Sequence, residues 1–442
     1  MRRCLRIGGA ALLALFAGRS LVRAEAPLTV DQAVAEALQN HPSLKAAGAR
    51  VDQAEASHRA VWDAYVPQLG GYAGAQVNQV SGNTTTTTPG GLFGGGETIT
   101  QSFDENDTRF VAGATLEELL YDFGGFSADR RSTDSAHRAQ LGALEAQRNE
   151  VTLNVKVSYY NLLRANRLLR YNSETVERRR ARAQRIGELS RRGVRGRKDV
   201  LQAQLDLAGA RLNLARSQSQ ITDVEAAFLD AIGQQTRSNR KLVDDVSLKP
   251  VRLTLEQAVE RSLTLRPELA QTRFAIESQE AVVDSVRASY LPRISAFGSV
   301  SSITPTGSSD LDQLTVFTGG VSARVPTGWI FNRARRDRAA ASLAELRARE
   351  LELKQSVTLD VSRHYTSLFE AVERTRITQE LANDALANFR ETQTRYRKGR
   401  ASISESTDAY TFLYDARVSF IQALYDAKIA EARLERAIGA SL

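Results

Sequence analysis

Cysteine, proline and aromatic residues are scarce in this chain of 442 residues. The single cysteine, Cys4, is close to the N-terminus, which excludes a disulfide framework and a metal site made of several cysteines. Aromatic residues make up 7% of the chain, and residues 90–249 and 327–442 contain no proline. Such stretches, rich in Ala, Leu, Arg, Glu and Gln, indicate long helices. Residues 332–398 also lack glycine, and one helix of that length would be about 100 Å long, which no compact domain accommodates.

Signals for catalysis or metal binding are also missing. The four histidines are scattered through the sequence without an HExxH motif or the spacing of metal ligands. Acid-rich helix pairs are present, but they have no cysteine or histidine nearby that could form a nucleophilic site. The glycines of residues 81–97 are not followed by Lys-Ser/Thr, as those of a phosphate-binding loop are. We therefore expect a protein that is not an enzyme and needs no cofactor.

The first 26 residues have the features of a signal peptide. Three arginines among the first six residues precede an apolar run over residues 7–17, and Ala-Glu-Ala at 24–26 offers a small-x-small cleavage site. The run is too short for a membrane-spanning helix. We therefore expect export, with residues 1–26 removed. Export, and the lack of aromatic residues within the basic run 177–198, argue against nucleic acid as a partner.

The chain contains one pattern twice. LTVDQAVAEALQNHP at 28–42 recurs as LTLEQAVERSLTLRP at 253–267, and both copies run on to a Tyr-x-Pro. Further matches follow in the same order: Tyr159 with Tyr365, Gly193 with Gly399, Arg211 with Arg417, and Ala-Ile-Gly at 231–233 with the same tripeptide at 437–439. We predict a tandem duplication with repeats at 27–252 and 253–442.

Each repeat contains a stretch with the alternation of β-strands. Small or apolar residues alternate with polar ones on both sides of residues 81–97 and again around residues 304–312. We predict β-hairpins over about 68–121 and 293–325, with the Thr- and Gly-rich segment 81–97 as an exposed, flexible loop. Runs of about ten residues suit strands that cross a bilayer at a tilt. A soluble hairpin shows the same pattern, and the signal peptide favours the membrane.

The rest of each repeat has helical periodicity. Thr29 and Thr254 each stand three residues before a glutamine, which predicts a capping box at both helix starts. An alanine-rich seam from Ala409 to Ala437, with steps of four and three, predicts coiled-coil packing. The helices predicted after the hairpins are 127–190 and 199–233 in the first repeat, and 332–396 and 403–438 in the second.

Four strands per chain are too few to close a barrel. An open sheet edge facing lipid would leave backbone N–H and C=O groups unpaired, so other subunits must complete the sheet. Three chains supply twelve strands, an even number within the range of outer-membrane barrels. We therefore predict a mainly α protein with a small β part, in which trimerisation completes a transmembrane β-barrel and a long-helix α-barrel. Two repeats per chain give the ring approximate sixfold symmetry.

Several features resemble the TolC-type outer membrane efflux proteins. They are the two LT-x-x-QAV starts, the Tyr-x-Pro before each hairpin, LYDFGG at 120–125 and the glycine-centred turns. The resemblance implies a homotrimeric channel in the lipid of the cell outer membrane, extending into the periplasm. It also implies an exit duct for drugs, metals or secreted proteins, in a tripartite efflux or type I secretion system. The implied partners are a periplasmic adaptor (membrane fusion) protein and an inner-membrane transporter.

The resemblance further implies where the channel closes. In the family the helical tube closes beside the turns, where a Tyr-x-x-Gly motif precedes two acids that point into the tube. Tyr396 and Gly399 match this motif, which makes Glu405 and Asp408 the candidate gate constriction. Asp199 matches an acid, and Tyr396 a tyrosine, that help to lock the closed state. The two acids also fit the favourable effect of negative charge at a helix start, without any role in gating.

One position departs from the family pattern. An arginine that takes part in the lock is common where this chain has Ala401, and Arg400 or Arg195 could replace it. The expected adaptor-docking tips are Gly193-Val194-Arg195 and Gly399-Arg400. The basic run 177–198 fits such a docking surface and fits a solvated helix face equally well.

A protein of another class would share the long helices. A secreted or periplasmic coiled-coil structural protein, or the adaptor of a pump, needs no membrane-spanning strands. The alternating stretches and the count of four strands favour the channel. A pump adaptor would ordinarily show one helical hairpin flanked by β-rich halves, which this sequence lacks.

Overall fold

The computed structural model describes residues 27–88, 97–234, 241–244, 246–248, 253–305, 314–327 and 333–440. The predicted signal peptide, 1–26, lies outside these residues. The first repeat contains α1 Val30–Asn40, α2 Pro42–Ala60, a 3₁₀ turn Val61–Tyr65, β1 Gln68–Thr88, β2 Glu97–Tyr121, α3 Gly125–Arg191 and α4 Arg197–Ala231. The second contains α5 Leu255–Leu265, α6 Pro267–Ala288, β3 Arg293–Pro305, β4 Leu314–Arg324, α7 Ala334–Arg397 and α8 Ile403–Ile438. The predicted fold class, mainly helical with a small sheet and two tandem repeats, is confirmed.

Local sequence signals fix the helix ends. At the start of α1 the Thr29 hydroxyl accepts from the Gln32 N–H at 3.3 Å, and the Gln32 side chain accepts from the Thr29 N–H at 3.0 Å. The same capping box opens α5, and a third, between Ser402 and Glu405, opens α8. None of the described helices is long and apolar enough to cross a membrane.

Glycines in the left-handed conformation end α3 and α7. Gly193 has φ +76° and Gly399 has φ +72°. The residue after each glycine donates its N–H to a carbonyl in the last turn of the helix, Val194 to Leu189 and Arg400 to Arg395, at 2.9 and 2.8 Å. Each glycine thus closes its helix with a Schellman-type turn and lets the chain return as the next helix.

The four strands form one antiparallel sheet in the order β1-β2-β3-β4. The β1–β2 ladder runs from Gln68↔Glu117 to Thr88↔Glu97, whereas β3 pairs with β2 only from Arg109 to Tyr121. The prediction of a flexible loop over 81–97 is therefore wrong for residues 81–88, which continue β1, and for Glu97, which begins β2. Threonine is β-branched and favours strands, and here each threonine of the run has a partner on β2. Residues 89–96 lie outside the described residues.

Equivalent contacts in the two halves demonstrate the duplication. The Tyr159 hydroxyl donates to the Leu28 carbonyl at 2.9 Å, and the matching Tyr365 hydroxyl donates to the matching Leu253 carbonyl at 3.0 Å. In each half, therefore, the long helix after the hairpin is bonded to the residue just before the N-cap of the first helix.

Each repeat has its own apolar cluster, and α8 connects them. The first cluster contains Val155, Tyr159 and Phe228, and it also contains Tyr425 from α8. The second contains Leu368 of α7 and, from the C-terminal part of the α8 seam, Ala427, Ala430 and Ala437. Eight of the nine residues of the predicted seam are buried, so the helix axes of α7 and α8 approach closely along it.

Candidate functional site

The two helical turns lie side by side at one end of the molecule. Ile186 of α3, Ala203 of α4 and Ile403 of α8 are buried together, and Tyr396 of α7 packs against them. Because all four long helices contribute, the turns at Gly193 and Gly399 form one structural unit, which we call the tip.

At the tip, one arginine joins the two residues proposed for the lock. The Arg195 guanidinium lies 4.4 Å from the centre of the Tyr396 ring, and its Nη1 is 3.7 Å from Asp199 Oδ2. Arg400 is exposed. Of the two arginines that could replace the one missing at Ala401, Arg195 is therefore the one in contact with both Asp199 and Tyr396.

Glu405 and Asp408 lie on one exposed face of the first turns of α8. Residues three apart lie on the same side of a helix, and both side chains face away from the neighbouring helices, whereas Ser406 and Thr407 between them are buried. The Glu405 carboxylate accepts a hydrogen bond from the Ser402 N–H at 3.1 Å. This bond, together with the Ser402 hydroxyl, lowers the pKa of Glu405, so the carboxylate stays ionised to lower pH than usual.

A polar cluster lies behind this turn, on the buried side of α8. Arg179 of α3 and Asp206 of α4 form an ion pair at 2.8 Å, with side chains 8% and 9% exposed. The Arg179 guanidinium stacks 3.8 Å from the centre of the Tyr410 ring. The Thr407 hydroxyl donates to Asp206 Oδ2 at 3.2 Å, and the Gln202 amide donates to Asp206 Oδ1 at 3.1 Å. Burial lowers the pKa of Arg179.

A groove of about 1260 Å³ runs between α3 and α7 along α8, from the tip to Asp244. Nine arginines line it, with only two acidic residues, Glu174 and Asp244. We call it the arginine groove. It contains part of the basic run 177–198, and it also contains Arg397 and Arg417 from the second repeat. The run is therefore part of a concave basic surface and not only a solvated helix face.

Sequence reasoning missed the Arg179–Asp206 pair and the extent of the arginine groove. Arg179 stands in a run of similar arginines, and its partners lie in other helices, so no local pattern distinguishes it. Within the described parts of the chain, no group of three or more His, Cys, Asp or Glu could hold a metal ion.

Comparisons with known proteins agree with this architecture. A family model described as "Outer membrane efflux protein" matches residues 33–234 and 258–440. The cation efflux system protein CusC of Escherichia coli (strain K12) is 26% identical over 431 residues, 93% of this chain and 86% of CusC. The probable outer membrane lipoprotein SilC of Salmonella typhimurium is 24% identical over 425 residues, covering 93% and 85%. A solved structure of CusC has a TM-score of 0.76 at 20% identity, covering 93% of this chain and 92% of that one.

Proposed function

Because this chain belongs to the outer membrane efflux protein family, we propose that three copies form one exit duct in a tripartite efflux or type I secretion system. The protein lies in the cell outer membrane and carries out efflux as a channel. The main support for a trimer is the sheet. It is open, and β1 and β4 are its edges within the described residues. Pairing β4 of one chain with β1 of the next satisfies both edges and closes twelve strands into a barrel.

The surface of the sheet supports the same assembly. Leu69 and Phe317 are each 79% exposed, and Val321 is 67% exposed. Apolar side chains on the outer face of a barrel are stabilised by lipid, whereas in water they would form an aggregation-prone patch. With 67 residues, α3 is about 100 Å long, which carries the duct deep into the periplasm.

The arginine groove fits the partner that such a duct needs. We propose that the tip, through Gly193-Val194-Arg195 and Gly399-Arg400, receives a periplasmic adaptor that connects it to an inner-membrane transporter. The excess of arginines beside the tip suits acidic side chains on that adaptor, since arginine binds carboxylates with paired hydrogen bonds.

Glu405 and Asp408 are the proposed constriction. Three copies of each residue form two rings of carboxylates, which attract cations and repel anions. CusC is named as a cation efflux system protein, and carboxylate rings of this kind suit the passage of cations.

The assembly is tested by the mass of the particle extracted in detergent from isolated outer membranes. Light scattering, with the detergent contribution subtracted, is expected to give three chains per particle, and the particle is expected to conduct ions in planar bilayers. A monomer, or protein recovered from the soluble periplasm without detergent, would contradict the channel and favour the coiled-coil structural or adaptor protein.

We propose that Arg195 takes the place of the missing arginine in the lock. Arg195→Gln removes its contacts with Tyr396 and Asp199, which together are worth roughly 1–2 kcal/mol. The closed channel is therefore expected to open several times more often in planar bilayers. Arg400→Gln makes the same change at the exposed arginine, and a larger effect there than at Arg195 would assign the lock to Arg400.

A further inference from the structure

Glu405 and Asp408, the two acids of the proposed constriction, lie on the exposed face of a helical turn. The opposite face of this turn packs against other helices. Ser406 is 2% exposed and Thr407 8% exposed, while Glu405 and Asp408 on either side of them are exposed. Whatever holds the buried face of this turn therefore sets the position of the acids on the other face. The Thr407 hydroxyl is held by Asp206.

The strong interaction in this cluster lies within the first repeat. Arg179 and Asp206 connect α3 to α4 as an ion pair, and breaking a buried ion pair is strongly destabilising. The contacts that reach α8 involve uncharged groups of that helix, the Thr407 hydroxyl and the Tyr410 ring. If α8 moves away, both charges keep each other as partners. The first turns of α8 can therefore separate from the α3–α4 hairpin without leaving an unpaired buried charge.

Arg182 adds contacts to the same turn. Its Nη2 lies 3.4 Å from the Ser406 hydroxyl and 3.5 Å from the Thr407 hydroxyl. These distances are at the limit of a hydrogen bond, so the shorter bond to Asp206 is the principal polar contact of Thr407.

We propose that Asp206 is a positioning residue for the gate: through the Thr407 hydroxyl it holds the first turns of α8 against the α3–α4 hairpin. The ion pair with Arg179 orients Asp206, and the Arg179 guanidinium packs on the Tyr410 ring one turn further along α8. This proposal rests on the proposed function, since Glu405 and Asp408 must line the constriction. Opening then requires α8 to leave Asp206, while the α3–α4 hairpin stays intact.

Thr407→Val tests the proposal because it replaces the hydroxyl with a methyl group and leaves the Arg179–Asp206 pair in place. A hydrogen bond to a charged acceptor contributes enough to shift a two-state gate about tenfold. In planar bilayers the open probability is expected to rise by about that factor. The cation preference is expected to stay unchanged, since both acids remain. Thr407→Ser, which restores the hydroxyl, is expected to restore the gating.

Thr394→Val is the matched control. Thr394 lies in α7 near the tip, and its hydroxyl donates to the Arg390 carbonyl of its own helix at 2.9 Å. We expect this variant to gate like the parent. Tyr410→Leu removes the ring from Arg179, the second contact by which the Arg179–Asp206 pair holds α8, and it is also expected to raise the open probability. Particle mass and helical circular dichroism are measured for each variant.

Three results separate the possibilities. If Thr407→Val gates like Thr394→Val, or if Thr407→Ser opens the channel as much as Thr407→Val, the hydrogen bond to Asp206 does not position the gate. If Thr407→Val does not assemble, an unchanged gate in Tyr410→Leu overturns the proposal instead. A parent protein that forms trimers but never conducts contradicts the proposed function itself.

Discussion

Replacing Glu405 with Gln and Asp408 with Asn in one chain is expected to remove most of the channel's preference for cations. Three carboxylates about 8 Å from a passing ion attract it by roughly 1.5 kcal/mol even at the dielectric constant of water, which corresponds to about a tenfold preference. In a trimer the double substitution removes both rings. The reversal potential in a potassium chloride gradient, measured in planar bilayers, is expected to move towards zero.

Glutamine is the informative substitution at Glu405 because it can keep the capping box. In the same chain, Gln32 and Gln257 make this cap at the starts of α1 and α5, as Glu405 does at α8. Glu405→Ala loses both the charge and the side-chain half of the capping box. An equal loss of selectivity with Gln and with Ala assigns the effect to charge. A loss with Ala alone would show that Glu405 acts through the helix start.

The same cap predicts how the selectivity depends on pH. The Ser402 N–H lowers the pKa of Glu405, so the carboxylate remains charged as pH falls through the ordinary glutamate value of about 4.3. In the Asp408→Asn variant, only Glu405 provides a charged ring. Its cation preference is expected to persist at that pH and to disappear below it. Loss of the preference at the ordinary value would indicate that the cap is not formed in the assembled channel.

The elements of the fold were predictable because their signals are local or repeated. A capping box spans four residues, and a glycine turn needs one residue with positive φ, so Thr29, Thr254, Gly193 and Gly399 could each be identified from their neighbours. The duplication could be identified because the chain provides its own comparison. The structure shows the matched pairs in equivalent contacts, as with Tyr159 and Tyr365.

The features that the sequence did not predict depend on contacts between distant segments. Composition predicted a flexible loop at residues 81–88, but pairing with residues 97–104 of β2 makes them a strand. Similarly, nothing in the neighbourhood of Arg179 indicates that its partners are Asp206, 27 residues away, and Tyr410 of the other repeat. Contacts between distant segments depend on how the helices assemble, and one sequence does not display that.

Arg266→Leu is expected to cause a large loss of stability. Arg266 is 5% exposed, and it lies between α5 and α6 at the position that matches His41 in the first repeat. Its Nε donates to the Ala437 carbonyl at 2.7 Å, and its Nη2 contacts Asp360. Three parts of the second repeat therefore meet at one side chain. Arg266 is buried but Asp360 is 30% exposed, so the loss is expected near the lower end of the about 3–5 kcal/mol that removing one member of a buried ion pair costs.

Arg376→Leu is the control that removes an exposed arginine from its ion pairs, so it shows how much of the effect at Arg266 is due to burial. Arg376 contacts Glu373 and Glu380 on α7, but all three side chains are more than half exposed. Exposed pairs contribute less than about 1 kcal/mol, so this variant is expected to unfold close to the parent. Helical circular dichroism on heating, at one scan rate for all variants, compares their kinetic stability.

Arg266→Lys shows which property of the arginine matters. Lysine keeps the charge, but its single nitrogen has no planar fork with which to reach both the Ala437 carbonyl and Asp360. If the contacts of Arg266 with both segments stabilise the repeat, the unfolding temperature of Arg266→Lys falls between those of the parent and Arg266→Leu.

If Arg266→Leu unfolds at the same temperature as Arg376→Leu, the cost of desolvating the buried cation cancels the stabilisation from its contacts. The remaining partners of Asp360 then explain the tolerance, because Asp360 keeps the Arg436 guanidinium at 3.5 Å and the His364 ring at 3.2 Å. A large drop in the unfolding temperature of Arg266→Leu would show that the packing of α5, α7 and α8 depends on Arg266. No drop would show that it depends on the other ion pairs of Asp360.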